Sequence, residues 1–390
     1  MNCYMRVCSS KPLGNQVFIP GGATFEEVTM QYHLALTERC NLRCTYCGGW
    51  ERLKFLPPDV TYDLDDLVRF ISKDPEAVIG LYGGEPLLAL DIMEKVMDAV
   101  PARAFTLQTN GTHLTEIPHR YLRKLHTILV SIDGGRDVTD SGRGEGTYDT
   151  VIRNLRDVEA RGYDGDVIAR MTVSQGSDIY RDVTNLLKLE DPRFDHVHWQ
   201  LDVFWSEFEA RNDLEGWLKR YDDGMTRLVA DFGEAMVGGE VQGIVPFIPV
   251  MRTLITGEST PHVRCGAGID SFAIMTTGRI EACPIAPDLE YSHVGDIRTS
   301  TPEGIRGSHP VGQPCTDCDI LGVCGGRCLY ANQTMSWGRE WFDRVCDSTR
   351  HMISELEALV PTARSLMDAG VLPPDAFDYP KLNNSCEIIP

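Results

Sequence analysis

Cys40-Asn41-Leu42-Arg43-Cys44-Thr45-Tyr46-Cys47 is the stretch on which the reading of this chain turns; it carries three cysteines spaced C-x3-C-x2-C. Soft thiolates suit iron–sulfur clusters, and four are the usual complement of a cubane [4Fe–4S] cluster. This loop supplies three, so one iron is left for a ligand that is not protein, an arrangement for chemistry at that iron. A zinc loop and simple buried cysteines are the competing readings. A structural zinc site needs a fourth ligand close by, and none is evident between Arg39 and Arg52.

Working outward, Gln31-Tyr32-His33-Leu34-Ala35-Leu36-Thr37 reads as a short buried strand feeding the loop, and an aromatic, Tyr46, precedes the third cysteine. Spacing, strand and aromatic together resemble the signature of the radical SAM superfamily. The resemblance implies that the open iron chelates the amino and carboxylate groups of S-adenosylmethionine. It also implies one-electron cleavage of the sulfonium to a 5′-deoxyadenosyl radical, and it places Tyr46 beside the adenine.

The chain has 390 residues, enough for two domains with sizeable cores. No apolar run approaches the roughly 20 residues of a membrane span, and residues 1–10 lack a signal-peptide core, so a cytoplasmic protein is expected. Thirteen cysteines without an export signal argue for metal or cluster ligation over a disulfide scaffold. A net charge of −20 argues against a nucleic-acid surface, which needs a basic stripe, and is read as a solubility feature.

Residues 1–29 are rich in turn formers and read as a cap, with Cys3 and Cys8 as free thiols. From Met30 onward, β-like apolar runs at 32–36, 77–82, 105–108, 128–132, 167–173 and 196–204 alternate with amphipathic segments at 64–72, 91–100, 121–125, 148–161 and 182–189. Strands alternating with helices predict parallel βαβ units in an α/β fold. Six such strands match the partial (β/α)6 barrel of radical SAM enzymes, where active-site groups collect at the C-terminal strand ends. The expected organisation is a cap over 1–29, the barrel over 30–210, a helical linker over 211–260, an auxiliary-cluster domain over 261–350, and a C-terminal helix and arm over 351–390.

Polar motifs fall at the expected strand ends. Gly83-Gly84-Glu85-Pro86 follows the second strand. Paired glycines let backbone approach a ligand, Pro86 fixes the exit, and Glu85 with exposed carbonyls suits an ammonium. The turn looks like the family's GGEP motif, which binds the amino group of S-adenosylmethionine; an ordinary βα turn is the bland alternative. Gln108-Thr109-Asn110-Gly111 and Ser131-Ile132-Asp133-Gly134 close the next two strands. Both resemble polar strand ends of the peptide-modifying branch. By that resemblance Ser131 contacts the ribose, Asn110, Asp133 and Leu201 belong to the cofactor pocket, and Gln108 lines the substrate side. Arg170, on the fifth strand, matches a cation near the cofactor carboxylate, and Gln108 and Arg170 are the candidate catalytic pair. Turn caps and salt bridges are the alternatives. His196 and His198 share one strand face, which reads as packing and hydrogen bonding rather than a metal site.

A second constellation follows. Cys265, Gly278 and Cys283 are spaced C-x12-G-x4-C, Cys315, Cys318, Cys324 and Cys328 are spaced C-x2-C-x5-C-x3-C, and Cys346 comes later. The whole pattern resembles the SPASM domain, the auxiliary-cluster module of many radical SAM peptide maturases; zinc is the alternative. The expected architecture is thus the barrel followed by a small α+β SPASM/twitch domain with two auxiliary [4Fe–4S] clusters, three clusters in all. The resemblance assigns Cys315, Cys318, Cys324 and Cys346 to the outer cluster and Cys265, Cys283 and Cys328 to the inner one. No cysteine lies in 259–264, so the inner set lacks an obvious fourth ligand. His262, a substrate thiolate, water or the remote Cys386 are the candidates. Residues 272–275 and 279–282 read as a β-hairpin, 348–359 as an amphipathic helix, and 361–390 as a proline-rich arm over the active site or on the surface.

The resulting expectation is an oxygen-sensitive enzyme that abstracts hydrogen from a ribosomally made peptide or protein, with ferredoxin or flavodoxin as reductant and neither nucleic acid nor membrane as partner. Thioether or other cross-linking is the leading chemistry. Formylglycine formation in sulfatases is disfavoured, because in that group an aspartate base follows the second of these cysteines and here Pro284 follows Cys283. A small-molecule substrate is disfavoured by the SPASM pattern. A non-catalytic electron carrier or zinc adaptor is the alternative class. Residues 1–30 are too few for the winged-helix leader-binding domain that many peptide maturases carry.

Overall fold

The computed structural model describes residues 29–203, 212–260 and 262–379. Six parallel strands follow one another in space as in sequence: β1 (Gln31–Thr37), β2 (Val78–Gly83), β3 (Ala104–Thr109), β4 (Leu125–Ser131), β5 (Asp166–Val173) and β6 (His196–Leu201). Their cores are nearly continuous apolar runs, as in strands covered on both faces. Parallel neighbours need long crossovers, and helices provide them. These are α1 (Gly49–Arg52) and α2 (Leu64–Ile71), then α3 (Leu90–Ala99), α4 (His119–Leu122), α5 (Arg136–Arg143) with α6 (Thr147–Ala160), and α7 (Ile179–Leu187). The expected barrel strands are all present. The 121–125 segment is a one-turn helix whose end runs directly into β4, and α5 had no apolar stripe to announce it.

Beyond β6 come α8 (Leu214–Val237) and α9 (Phe247–Thr256). The expected hairpin forms as β7 (Ser271–Ile274) and β8 (Arg279–Glu281), joined by β9 (His293–Asp296). It is not a separate small sheet. Strand β7 pairs in parallel with β1, Gln31 opposite Ser271 and Leu34 opposite Ile274, so one nine-stranded sheet runs β6-β5-β4-β3-β2-β1-β7-β8-β9. The edge of β1 is thereby covered, and Cys283, just past β8, hangs from the same sheet as the first cysteine loop.

Short helices α10 (Pro302–Ile305), α11 (Leu321–Cys324) and α12 (Leu329–Thr334) lead to α13 (Gly338–Asp368). That helix is longer than the expected 348–359, because Pro361 lies inside it and does not stop it. Packing against α8 and α9 holds it: an added Cβ on Gly233 of α8 would lie 3.0 Å from Leu359. The arm does not cover the C-terminal strand ends over its described length. Leu372 and Phe377 are buried, Asp378 pairs with Arg252 at 3.0 Å, and Tyr379 packs edge-on against His196, at the start of β6. The cap over 1–28, the strand extension past Val203 and Cys386 lie outside the described residues.

Trp199 carries much of the packing between β6 and the following helices. It is fully buried, donates to the Tyr221 hydroxyl at 2.9 Å and meets the Phe247 ring edge-on at 5.9 Å. Trp199→Ala is expected to cost about 3–5 kcal/mol through the cavity it leaves. A lower urea midpoint of the anaerobic protein checks this, with Trp199→Phe losing clearly less.

Candidate functional site

The C-terminal ends of β1 to β6 surround a cleft enclosing about 1330 Å³ of atom-free space, mouth included. Pockets for drug-sized ligands run to roughly 300–1,000 Å³, so it has room for a nucleoside-sized ligand and part of a second molecule. Cys40, Cys44 and Cys47 line it together with Tyr46, Gly83, Gly84, Gln108, Asn110, Ser131, Arg170 and Leu201. The cleft therefore joins the thiols to most of the expected cofactor residues.

The cysteine loop has almost no regular structure and is held by its neighbours. Thr45 donates its amide to Gly142 of α5 at 2.9 Å, and the Asn41 amide nitrogen bonds Thr112 at 3.0 Å. Asn110 bonds Asn41 at 2.8 Å and points its amide at Cys40 Sγ, 3.9 Å away. Backbone amides of Leu42 and Gly49 approach Cys40 Sγ and Cys47 Sγ at 3.5 and 3.3 Å. Donors ringed around sulfur are the outer contacts that cluster thiolates use. Burial pushes the Cys44 thiol up to about 11.

The Gly-Gly turn behaves differently from the sequence expectation. Gly83 has φ +139°, and a Cβ there would lie 2.2 Å from the Thr37 carbonyl oxygen; one on Gly84 would lie 2.2 Å from that of Arg39. The Gly84 and Glu85 amides bond the Thr37 and Arg39 carbonyls at 2.8 and 2.7 Å, so only carbonyls remain for a cationic ligand. Glu85 is fully buried and its carboxylate turns away from the cleft. It accepts from Leu87 N at 3.0 Å, Thr109 Oγ1 at 2.7 Å and Asn110 N at 2.7 Å, tying the end of β2 to the end of β3. The charge-for-ammonium role expected of Glu85 is thus corrected to a buttress, because three donors compete for its oxygens inside the fold. Pro86 starts the following turn and also lies off the cleft.

Asp133 is likewise a support and not a lining group. It binds Arg143 at 2.7 and 2.9 Å, accepts from the Tyr46 hydroxyl at 2.5 Å and from Thr172 N at 2.8 Å. Arg143, which the sequence reading did not single out, lines the cleft with its guanidinium 5.5 Å from the Tyr46 ring. Burial opposes its charge, but Asp133, Tyr46 and Cys44 hold it well above the ordinary range. Arg170 reaches Gln200 at 3.0 Å.

Glu38 and Arg52, also missed, form a buried pair at 3.4 Å in the cleft wall. Burial raises the Glu38 carboxyl and Arg52 opposes that shift. Arg52 also reaches the Pro284 carbonyl at 3.5 Å, and Ile285 lines the cleft. The segment after Cys283 thus contributes to the wall of the first site. No sequence rule marks residues that meet only through this long-range contact.

The other seven cysteines sort into two groups. Burial pushes Cys265 up to about 12 and Cys283 well above its usual value, and each also feels the charge of Cys328. Burial raises Cys315, with Cys346 and Cys318 adding to it, and raises Cys324 to about 11, with Cys346 adding. Within the trio and within the quartet that the resemblance assigns, the thiols thus lie close enough to feel one another's charge. Asn332 and Arg350 donate to Cys315 Sγ at 3.4 Å and Cys318 Sγ at 3.1 Å. Among the described residues no three His, Cys, Asp or Glu side chains converge on a single metal ion. Cluster thiolates each take a different iron and need not converge. His196 has its own partner, Asp166 at 2.7 Å. His262 faces the Val263 carbonyl at 2.9 Å and Asp270 at 3.7 Å.

Residues 34–184 match the family model of the radical SAM superfamily, whose members are enzymes. The chain is 36% identical over 139 residues to a GTP 3′,8-cyclase of Listeria monocytogenes, covering 33% of this chain and 42% of that protein. Against the GTP 3′,8-cyclase of Marinobacter nauticus it is 33% identical over 147 residues, covering 34% and 44%. The match spans less than half the length of these curated relatives. In structure the chain is similar to anSMEcpe with bound AdoMet and Cp18Cys peptide, at TM-score 0.67 and 18% identity over 87% of this chain and 99% of that one. It is also similar to Streptococcus suis SuiB bound to precursor peptide SuiA, at TM-score 0.52 and 17% identity over 77% and 72%. At these identities the likeness concerns the fold. No helix among the described residues is long and apolar enough to cross a membrane.

Two outcomes follow for the cleft. Joint replacement of Cys40, Cys44 and Cys47 by Ala removes one cluster's iron and all 5′-deoxyadenosine release, with the remaining iron retained, as iron assay and chromatography will show. Gly84→Val, by pushing Arg39 and with it Cys40, loses iron from the same site as well as affinity for S-adenosylmethionine; full iron with normal affinity contradicts the close approach described here.

Proposed function

We propose that this protein is a radical SAM enzyme that modifies a ribosomally made peptide or protein, forming a thioether or other cross-link, with a SPASM-type auxiliary half. The observation that carries the reading is the shared cleft. Three thiols, the Gly83-Gly84 turn and Ile285 from the segment after Cys283 all face it.

Cys40, Cys44 and Cys47 would hold the first [4Fe–4S] cluster, with Tyr46 and Ser131 along the nucleoside. The Gly83 and Gly84 carbonyls would face the ammonium of S-adenosylmethionine, and the Arg143 and Arg170 guanidiniums its carboxylate. When bound, cluster and S-adenosylmethionine supply a 5′-deoxyadenosyl radical for hydrogen abstraction. Gln108, on the cleft wall, would position the substrate. Glu38 and Arg52 stand on the side facing Pro284 and keep that wall polar.

Cys265, Cys283 and Cys328 would hold the inner auxiliary cluster and Cys315, Cys318, Cys324 and Cys346 the outer one, with ferredoxin or flavodoxin as reductant. His262 bonds the Val263 carbonyl through Nδ1 and has Asp270 3.7 Å from its Nε2, which favours leaving the fourth inner position to a substrate thiolate. Such a thiolate would be held in place and deprotonated; its attack on a carbon radical would form the C–S bond and release one electron, which the inner auxiliary cluster would accept. Pro284 brings no carboxylate to the place where a formylglycine-forming enzyme has its base, which leaves sulfatase maturation as the second reading.

The test uses anaerobically reconstituted protein carrying Ala at 40, 44 and 47, so that only auxiliary signals remain. An added cysteine-containing peptide should change the electron paramagnetic resonance signal of one auxiliary cluster. Signals indifferent to thiols, with a fourth protein ligand found at the inner site, remove the basis for thioether chemistry. Absence of 5′-deoxyadenosine release by the intact enzyme favours an electron carrier or zinc adaptor instead.

A further inference from the structure

Arg327 stands between the two auxiliary cysteine groups, immediately before Cys328 and 4% exposed. It adopts φ 57°, a left-handed conformation unfavourable for a residue with a Cβ, directly after Gly325 and Gly326 at 73° and 98°. The chain holds a strained, bulky residue where a third glycine would sit comfortably. Its guanidinium lies 5.3 Å from the Phe342 ring, one turn of α13 before Cys346, and lines a small cavity with Val345. Its charge is felt by Cys346, Cys315, Cys324 and Cys328.

No carboxylate among the described residues pairs with it, and its Nε has no hydrogen-bond partner. An arginine cannot shed its charge, and an unpaired buried charge is expensive. The neighbourhood therefore needs an anion that the polypeptide does not supply. Thiolate-ligated clusters are anionic, and their potentials respond to nearby charge and to hydrogen bonds on sulfur.

We propose that Arg327 is a positioning residue that sets the reduction potentials of both auxiliary clusters, as the fixed positive charge between the inner trio and the outer quartet. The inference rests on the two-cluster reading above. Reduction adds an electron to an already anionic group, so a buried cation beside both sets makes each easier to reduce. Arg350 differs: it bonds Cys318, but its side chain is 40% exposed and paired with Asp319, so solvent and that carboxylate offset its charge.

The experiment is a potentiometric titration, followed by electron paramagnetic resonance, of reconstituted protein with Ala at 40, 44 and 47. Arg327→Met is expected to keep auxiliary iron and to lower the reduced-to-oxidised ratio of the auxiliary clusters at least tenfold at fixed potential, about 59 mV for a one-electron couple. Arg327→Lys should stay near the parent and Arg350→Met should shift less. Unchanged potentials in Arg327→Met with iron retained overturn the proposal. Should Met disturb loading, Arg327→Gln against Arg327→Lys decides: a low potential in Gln alone supports the proposal, and equal potentials, or iron lost from all three variants, overturn it in favour of a packing role. Parent protein with no auxiliary iron at all overturns the two-cluster reading itself, an outcome separable from any shift between variants.

Discussion

The backbone contact between the Gly83-Gly84 turn and residues 37–39 is the constraint on which the first site depends. The cysteine loop has no ladder of its own, and its position follows from where β1 ends. That end is fixed by two approaches that no side chain could share, with would-be Cβ atoms 2.2 Å from the Thr37 and Arg39 carbonyl oxygens. The Glu85 carboxylate then bonds across to Thr109 and Asn110, and Asn110 in turn bonds Asn41 beside Cys40. Three strand ends and the loop thus form one hydrogen-bonded unit. A buried carboxylate is tolerable there because its acceptor capacity is met by three donors.

Much of this was legible in the sequence, for reasons that also mark where legibility stops. The strands and crossover helices declare themselves by continuous apolar runs and by amphipathic repeats, which are local patterns. The cysteine spacings at 40–47 and 315–328 stand out because they too are local patterns. Glu85 was misread since a carboxylate after two glycines looks the same whether it turns toward a ligand or toward the next strand. Arg143 carried no signal because its partners Asp133 and Tyr46 lie on separate elements, and only the fold brings them together. The pairing of β7 with β1 is a contact across more than half the chain, invisible to any window of sequence. The helix expected over 348–359 runs on through Pro361, because tertiary packing of α13 on α8 and α9 outweighs one lost helical hydrogen bond.

The auxiliary half shows a different balance. Its inner trio sits in an apolar surround of Val263, Ala267, Ala282, Ala286 and Leu329. Burial there raises the thiols, so ionising them without a metal is costly. A thiolate site can hold soft metal only after losing its protons, and the binding energy has to offset that cost. The outer quartet meets the same problem with donors, Asn332 on Cys315 and Arg350 on Cys318, and with the charge of Arg327 acting on Cys346. The two groups therefore differ in what faces the sulfurs: side-chain donors at the outer one, and at the inner one an apolar surround with backbone amides and the charge of Arg327 on Cys328. Potentials of iron–sulfur centres follow such differences in charge and hydrogen bonding.

The continuous sheet ties these halves into one device. Because β7 is a direct neighbour of β1, the segment carrying Cys283 is joined to the strand that delivers Cys40 by backbone hydrogen bonds and not by a flexible linker. Arg52 adds a second tie, bound to buried Glu38 on one side and near the Pro284 carbonyl on the other. A mutation that loosens this pair disturbs the wall of the cleft and the approach to the inner trio together. The position of Cys283 relative to the first thiol loop is consequently a property of the sheet, set by strand register, and Ile285 carries the segment after Cys283 into the cleft wall.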